Sequence, residues 1–446
     1  MPYIPTTPEE TRRMLSVIGV EKIEDLFADI PEEIRLKRPM DLPKPMSEAE
    51  VKRHMEELAN KNKVLINFIG AGAYERLIPT IVPYILSRWE IYSAYTPYQP
   101  EVSQGTLQMI FEFQSLMCEL TGMEVATASH YDGATAAAEA ALMSCADTRK
   151  HKVLVSRAVH PQYRDVIRTY ATGQRIEIVE IPIKDGRTDL AELEKLLAAK
   201  DVAGVILQNP NFLGQIESMA EAVQLAHKAG ALGIAVFDPI SLGVLAPPGE
   251  YDADIAVGEG QSLGLPLSYG GPYLGIVTSK ERLVRRLPGR LIGATRDVDG
   301  KRGFVMTLAT REQHIRREKA TSNICTNEAL CATAATIYLA ALGKEGLKEV
   351  ARQCVLKSHY AYEKLTSIPG VTPVFTGPFF CEFALKTDKL TPKEGYKGLA
   401  DKGFAAALDL TPYYPEYEGA MLFAVTEART KAEIDALAAA MGGLLA

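Results

Sequence analysis

The stretch Val236–Ser279, VFDPISLGVLAPPGEYDADIAVGEGQSLGLPLSYGGPYLGIVTS, decides the fold. Three apolar runs in and around it, Gly233–Phe237, Asp254–Val257 and Tyr273–Val277, read as buried strands joined by Pro- and Gly-rich connections. An Asp-Pro pair at 238–239 closes the first run, and Gly270-Gly271-Pro272 precedes the last. Between Lys228 and Lys280 there is no Lys, Arg or His. Working upstream, Lys152–Ser156, Ile176–Ile181 and Val202–Gln208 read as further strands, and His160–Tyr170, Leu190–Ala199 and Ser218–Ala229 as the helices between them. Such alternation predicts a mostly parallel sheet covered on both faces. Ligands on such sheets bind beyond the carboxyl ends of the strands, so Asn209 and Asp238 are expected to face one crevice.

Further upstream, Glu124–Ser129 reads as a strand and HYDGATAAAEAALMSCA as a tight turn into an Ala-rich helix. Gly133, Ala134 and Thr135 would present backbone N–H groups at that helix start, an anion site in principle, although small residues there also serve packing. Ser93–Gln104 fits no regular element. Two prolines stiffen it, and it presents Tyr95, Thr96, Tyr98, Gln99, Glu101 and Gln104 ahead of a helix from Gly105 to Leu120. A rigid loop of phenols, an amide and a carboxylate suits the lining of a polar site, or packing at a subunit interface. Arg76–Leu86 reads as a helix bent by Pro79 and Pro83. The chain begins with a helix, Pro8–Ile18, a proline-rich arm, and a second helix from Ser47 to about Lys61 whose Glu50 completes a capping box. Such an arm embraces a neighbouring subunit or packs on its own domain.

Downstream of Lys280, RLVRRLPGRLIGATRDVDGKRGF (282–304) and TREQHIRREKATSNICTNEAL (310–330) form a basic region, densest at Arg311, His314, Arg316, Arg317 and Lys319, that would steer an acidic protein, bind a carboxylate, or, as the better reading, make ion pairs within an interface. From Asn327 a long helix leads to a smaller α+β portion with strands Val371–Phe375, Phe379–Leu385 and Met421–Val425 and a closing helix Lys431–Met441. The expected division is an N-terminal arm with helices over 1–75, a large α/β domain over 76–326 and a small C-terminal domain over 327–446.

The 446 residues are 47% hydrophobic with net charge −7, which disfavours nucleic acid as a partner. No run of about 18 apolar residues is present to span a membrane, and Met1–Pro8 lacks the basic, then apolar, start of a secretory signal. Six cysteines at 118, 145, 325, 331, 354 and 381 form no CxxC pair and no metal-ligand spacing with histidine. No metal site is expected, and the thiols read as those of a cytoplasmic protein.

Four strings carry a resemblance: SAYTPYQPEVSQG (93–105), YDGATAAAEA (131–140), LPGRLIGATRDVDGKR (287–302) and TREQHIRREKATSNICTNEAL (310–330). They are similar to the glycine-cleavage-system P-proteins, glycine decarboxylases, and specifically to the amino-terminal half of the long form or subunit 1 (alpha) of the split form. The similarity runs nearly the whole chain. It implies an aspartate-aminotransferase-like α/β fold (pyridoxal-phosphate fold type I), with a mostly parallel sheet in the large domain, an N-terminal arm and a small C-terminal α+β domain. It also implies an oxidoreductase of glycine catabolism. With a beta subunit, in an α2β2 assembly, such a protein decarboxylates glycine and passes the aminomethyl group to the lipoyl arm of H-protein. The cofactor, pyridoxal 5'-phosphate, is the electron sink. In that fold a strand-end Asp pairs with the cofactor's ring nitrogen, the place of Asp238, and a lysine binds it covalently. Aligned on Gly270-Gly271-Pro272, that lysine's position here is Gln261. The resemblance therefore places the covalent anchor in the partner subunit. It leaves this chain, inactive alone, as one wall of an interface site. Tyr95, Thr96, Tyr98 and Gln99 would hydrogen-bond glycine or cofactor, with Glu101 positioning them. Asp238 and the Gly133–Thr135 turn would be vestigial. Two rivals stand beside this reading: a self-sufficient aminotransferase-like enzyme using a lysine such as Lys280, and a non-catalytic scaffold.

Overall fold

The computed structural model describes residues 5–322, 324 and 326–446, so Met1–Ile4, Asn323 and Cys325 lie outside the described residues. By its internal contacts the chain divides into two units, up to Lys63 and from Val64 onward.

In the first unit, helix α1 spans Pro8–Ile18 as read. Thr7 N–H donates to Glu10 Oε2 at 2.8 Å, and Gly19 at φ 88° ends the helix where only a left-handed residue reverses the chain. A single turn at Ile23–Phe27 and a stretch without regular structure through the prolines lead to helix α2, Glu48–Ala59, whose Ser47 N–H donates to Glu50 Oε2 at 2.7 Å.

The second unit begins with a correction. Residues 76–80 are not helical, and helix α3 covers only Ile81–Leu86. Pro79 disfavours helical backbone at Ile78, while Pro83 sits in the first turn, where its missing N–H costs nothing. The Ser93–Gln104 stretch is irregular apart from one turn at Pro100–Val102, and helix α4 then runs Gln104–Thr121. Strand β1 is shorter than read, Val125–Ala126, because beyond Thr127 the Ala128 N–H turns to Arg290 O, and His130 rejoins the sheet only as a bridge to Gly275.

Helix α5 (Gly133–Thr148), strand β2 (Lys152–Ser156), helix α6 (Pro161–Gln174) and strand β3 (Glu177–Ile181) follow. After them come helix α7 (Leu190–Leu197), strand β4 (Val202–Asn209), helix α8 (Met219–Lys228) and strands β5 (Leu232–Phe237), β6 (Ile255–Glu259) and β7 (Gly275–Ser279). They build a seven-stranded sheet in the order β1-β7-β6-β5-β4-β2-β3, parallel except for β7, which is antiparallel to both neighbours. Period-two alternation splits each strand between two cores. Ala235, Phe237 and Ala256 face one core, and Ile234, Val236, Ile255 and Val257 face the other. Five alanines of α5, at 136–138, 140 and 141, are fully buried in the second core, and their small side chains let the helix lie close to the sheet.

The basic region hides an element the sequence reading missed. Strands β8 (Leu291–Arg296) and β9 (Arg302–Thr307) pair as an antiparallel hairpin. Helix α9, Ala329–Thr366, is interrupted at Gly343 (φ 61°). Strands β10 (Val371–Pro373), β11 (Glu382–Thr387), β12 (Leu408–Asp409) and β13 (Met421–Ala424) form an antiparallel sheet in the order β10-β11-β13-β12. Helix α10 (Pro392–Asp401), not read from sequence, precedes β12, and α11 (Lys431–Leu445) closes the chain. No helix among the described residues is long and apolar enough to cross a membrane.

Candidate active site: a closed crevice and an open loop

At the carboxyl end of β5, Asp238 caps its own turn, with Oδ1 accepting from the Ile240 N–H at 2.7 Å. Its other oxygen lies 3.8 Å from Nη2 of Arg76. Arg76 is buried, and its Nη1 donates to Glu427 Oε2 at 2.7 Å, while the Leu77 N–H donates to Glu427 Oε1 at 2.9 Å. Burial pushes the Asp238 carboxyl up despite the opposing guanidinium. For Glu427, by contrast, the Arg76 charge and hydrogen bonds outweigh burial and hold the carboxyl below its ordinary value. The chain thus supplies an internal cation where Asp238 would otherwise await an external one.

Gln261 is fully buried and fully used. Its Oε1 accepts from the Tyr74 N–H at 2.9 Å, and its Nε2 donates to Tyr74 O at 2.9 Å and Leu265 O at 2.8 Å. The start of α5 corrects the anion-site expectation. The Gly133 N–H donates to Glu259 Oε2 at 2.9 Å, and the Thr135 N–H to Asp132 Oδ1 at 2.7 Å, so carboxylates of the chain already occupy the helix terminus. A Cβ at Gly133 would collide with Tyr163 Oη, so the turn has no room for a side chain as it stands. Glu259 also accepts from the Gln261 and Leu274 N–H groups, both at 3.0 Å, yet burial pushes its carboxyl up to about 7. On the opposite wall Glu382, from β11, accepts from the Ala71 N–H at 2.6 Å and from Tyr74 Oη at 2.9 Å, and burial likewise raises it to about 7. Tyr74, His160, Tyr163, Asp238, Glu259 and Glu382 enclose a cavity of only about 40 Å³, where pockets for such ligands are several hundred Å³. Pyridoxal phosphate does not fit this crevice. Its phosphate would meet Glu259 and Asp132, Arg76 answers Asp238, and Gln261 offers no amine.

Two further expectations need correction. Asn209 does not share the crevice. Its Oδ1 accepts from the Glu217 N–H at 3.0 Å, and Pro210 lines the cavity instead. Lys280 is at the wrong end of the sheet. Antiparallel β7 brings Ser279 beside Ile255, at the amino end of β6, and Lys280 Nζ pairs with Asp252 at 2.7 Å and Asp254 at 3.2 Å. Those carboxylates outweigh burial and raise the ammonium above its ordinary value, the opposite of what a nucleophilic amine needs. The basic region is partly structural. Arg311 is buried, with Nη2 donating to Gly289 O at 2.9 Å and Nη1 to Leu287 O, whereas His314 is exposed.

The raised carboxyls carry a pH consequence. Glu382 is protonated in the folded chain up to about pH 7 but only to about 4.5 when unfolded. Its stabilising contribution is therefore complete below about pH 4.5 and is lost as pH rises through 7. Glu382→Gln, which can still accept from Ala71 N–H, is expected to flatten the fall in stability between pH 5.5 and 8 seen in urea unfolding. An unchanged slope would assign that fall to other groups.

The Tyr95–Glu101 loop is the open part. Tyr95 is 74% exposed and Tyr98 49%, Gln99 and Glu101 are exposed, Thr96 is half-buried and Pro97 is buried. Gln104 clamps the loop's end to β9, exchanging two 2.9 Å hydrogen bonds with the Phe304 backbone. Arg290, which the sequence reading passed over as one charge in a basic run, donates to Tyr98 Oη at 3.1 Å and Thr96 Oγ1 at 3.4 Å. Arg76, Glu259, Glu382 and Glu427 were missed as well. Their partners lie far off in sequence, and no local pattern marks them.

Fold and crevice together define a pyridoxal-phosphate fold type I protein whose own cofactor crevice is filled. The sphingosine-1-phosphate lyase from Burkholderia pseudomallei, at 13% identity, TM-score 0.67 and 94% coverage of both chains, has the same fold. The glycine cleavage system P-protein family model matches residues 1–441, and the chain belongs to that family. It is 68% identical over 446 residues, all of both chains, to the probable glycine dehydrogenase (decarboxylating) subunit 1 of Moorella thermoacetica. A crystal structure of an inhibitor-bound glycine decarboxylase (P-protein) of the glycine cleavage system matches with TM-score 0.91 and 47% identity, again over all of both chains.

Proposed function

We propose that the chain is the alpha subunit of a glycine dehydrogenase (decarboxylating), an oxidoreductase of the cytoplasm. It would form an α2β2 complex with a beta subunit that holds pyridoxal phosphate covalently, and act on glycine with lipoylated H-protein as acceptor. In this reading the arm is 1–75, the large domain 76–326 and the small domain 327–446. The observation that carries it is a crevice too full for cofactor together with a stretch of chain too apolar to stay bare. Between residues 77 and 102, Leu77, Tyr84, Trp89, Tyr92, Tyr95 and Val102 are all more than half exposed. Apolar groups gathered in this way mark a protein interface.

On that surface Tyr95, Thr96, Tyr98 and Gln99 donate hydrogen bonds to glycine's carboxylate or to the partner's cofactor, and Glu101 positions them. The apolar residues around them exclude water, which strengthens each of those bonds. Tyr95→Phe with Thr96→Ala is expected to lower glycine–CO₂ exchange on the order of 10²-fold, while the complex with the beta subunit still assembles on a sizing column. Full exchange in the assembled variant would leave the chain as a scaffold.

A further inference from the structure

The loop that carries Tyr95, Thr96 and Tyr98 has almost no backbone reason to hold its shape. Its internal backbone bonds are short-range, Tyr98 N–H to Thr96 O at 2.9 Å and Val102 N–H to Gln99 O at 3.3 Å, and it pairs with no strand. Pro97 is its buried anchor, yet a proline fixes one φ angle and says nothing about where the neighbouring hydroxyls point. The side chain that addresses those hydroxyls is Arg290. Its two terminal nitrogens divide between Thr96 Oγ1, at 3.4 Å, and Tyr98 Oη, at 3.1 Å, and its guanidinium carbon sits 5.1 Å from the centre of the Tyr98 ring. A planar fork with fixed angles between its donors can orient two hydroxyls and stack on a ring at once, which an ammonium cannot.

Arg290 is itself rigidly mounted. It is 4% exposed, and its carbonyl accepts from the Ala128 N–H at 2.9 Å. The preceding Gly289, at φ 67°, makes the turn that launches it, and Gly289 O is held by the buried Arg311. The charge is answered by Glu312, whose Oε2 lies 3.7 Å from Arg290 Nε. At that separation the pair attracts without a hydrogen bond, and neither Arg290 Nε nor Glu312 Oε1 has a hydrogen-bond partner. The directional donors that Arg290 does use point at the loop.

We propose that Arg290, with Glu312 as its counter-charge and Arg311 as its mount, is the positioning residue that sets the geometry of the Thr96 and Tyr98 hydroxyls for the reaction at the subunit interface. The inference rests on the loop being a wall of that site. Arg290 touches neither glycine nor cofactor and acts through the two hydroxyls. The Arg311–Glu312 dipeptide thereby acquires a role for which the basic composition of its neighbourhood gave no hint: one residue holds the turn, the next balances the fork.

The test uses the full chain, alone and with its beta subunit, in two readouts. Chymotrypsin cleavage after Tyr95 and Tyr98, measured against cleavage after the fully exposed Tyr269, reports how firmly the loop is held. Glycine–CO₂ exchange reports the reaction. Arg290→Gln is expected to raise loop cleavage about tenfold and to lower exchange turnover on the order of 10²-fold with a smaller change in the glycine KM. Arg290→Lys keeps the charge but is expected to behave like Arg290→Gln rather than like the natural chain. Tyr98→Phe, a change at the exposed end of the contact, loosens the loop in the same assay should Arg290→Gln not fold. Unchanged loop cleavage in the variants, or Arg290→Lys matching the natural chain in both readouts, overturns the positioning role. A loosened loop with undiminished exchange overturns instead the wall reading beneath it.

Discussion

Arg76→Ala is expected to destabilise the chain by about 3–5 kcal/mol, the usual cost of removing one partner from a buried ion pair. Arg76 is 7% exposed and is the cation facing both Asp238 and Glu427. Without it, Glu427, then held by the Leu77 N–H and the Cys354 thiol, must protonate or remain charged in a buried site, and Asp238 loses its counter-charge. The substitution also removes the tie that Arg76 makes to a residue some 350 positions downstream, leaving the segment held by Tyr74 and Leu77. The variant's denaturant midpoint should fall accordingly, and further as pH rises, because burial without the guanidinium disfavours the ionised carboxylates. A Glu427→Gln partner change should recover part of the loss, because it removes one of the two uncompensated charges. A midpoint shift below about 1 kcal/mol would show that the cluster is solvated in a way its burial does not suggest.

Gln261→Lys restores the residue type that pyridoxal-phosphate enzymes use, and is nonetheless expected not to restore cofactor binding. Three hydrogen bonds hold the glutamine between Tyr74 and Leu265. A lysine there can donate but cannot accept from the Tyr74 N–H, so one buried donor is orphaned, and the amine must stay neutral or bury a charge. The expected cost is about 3 kcal/mol. Even in the folded variant, Glu259 still holds the Gly133 N–H and the cavity still measures about 40 Å³. After dialysis against buffer the variant should retain no pyridoxal phosphate. Stoichiometric retention would mean that the missing amine, and not the filled crevice, is what separates this chain from an enzyme complete in itself.

How much of this was legible in the sequence depends on the range of the interaction. The strands of the large sheet were readable because each is an apolar run with its own punctuation: Lys152–Ser156 coincides with the reading, and β4, β5 and α8 agree to a residue or so. The β8–β9 hairpin was not readable. Its ends are Arg296 and Arg302, four of the six β8 residues are less than fully buried, and its charge masks the alternation that marks a strand. The helix assigned to residues 76–80 failed for a tertiary reason, since Arg76 and Leu77 are claimed by Glu427 before any helix can claim them. In the crevice, Asp238 was legible from its place at a strand end. Its partner was not, because the pairing of residues 76 and 238 has no local signature. Likewise, the Gly133–Thr135 turn looked like an anion site because its N–H groups are visible in sequence, while Glu259, which occupies it, arrives from 126 residues away. The loop at 95–101 was legible as irregular and polar, and its exposure agrees. What orients its hydroxyls, Arg290, is separated from them by more than 190 residues.

The measurement that bears most directly on the central claim is borohydride reduction in the presence of pyridoxal phosphate, followed by locating the reduced cofactor on peptides of the mixed complex. The expected result is label on the beta subunit alone, with the alpha chain unlabelled both by itself and in the complex, and with glycine–CO₂ exchange only when both are present. Label on a lysine of this chain, or exchange by this chain alone, would contradict it.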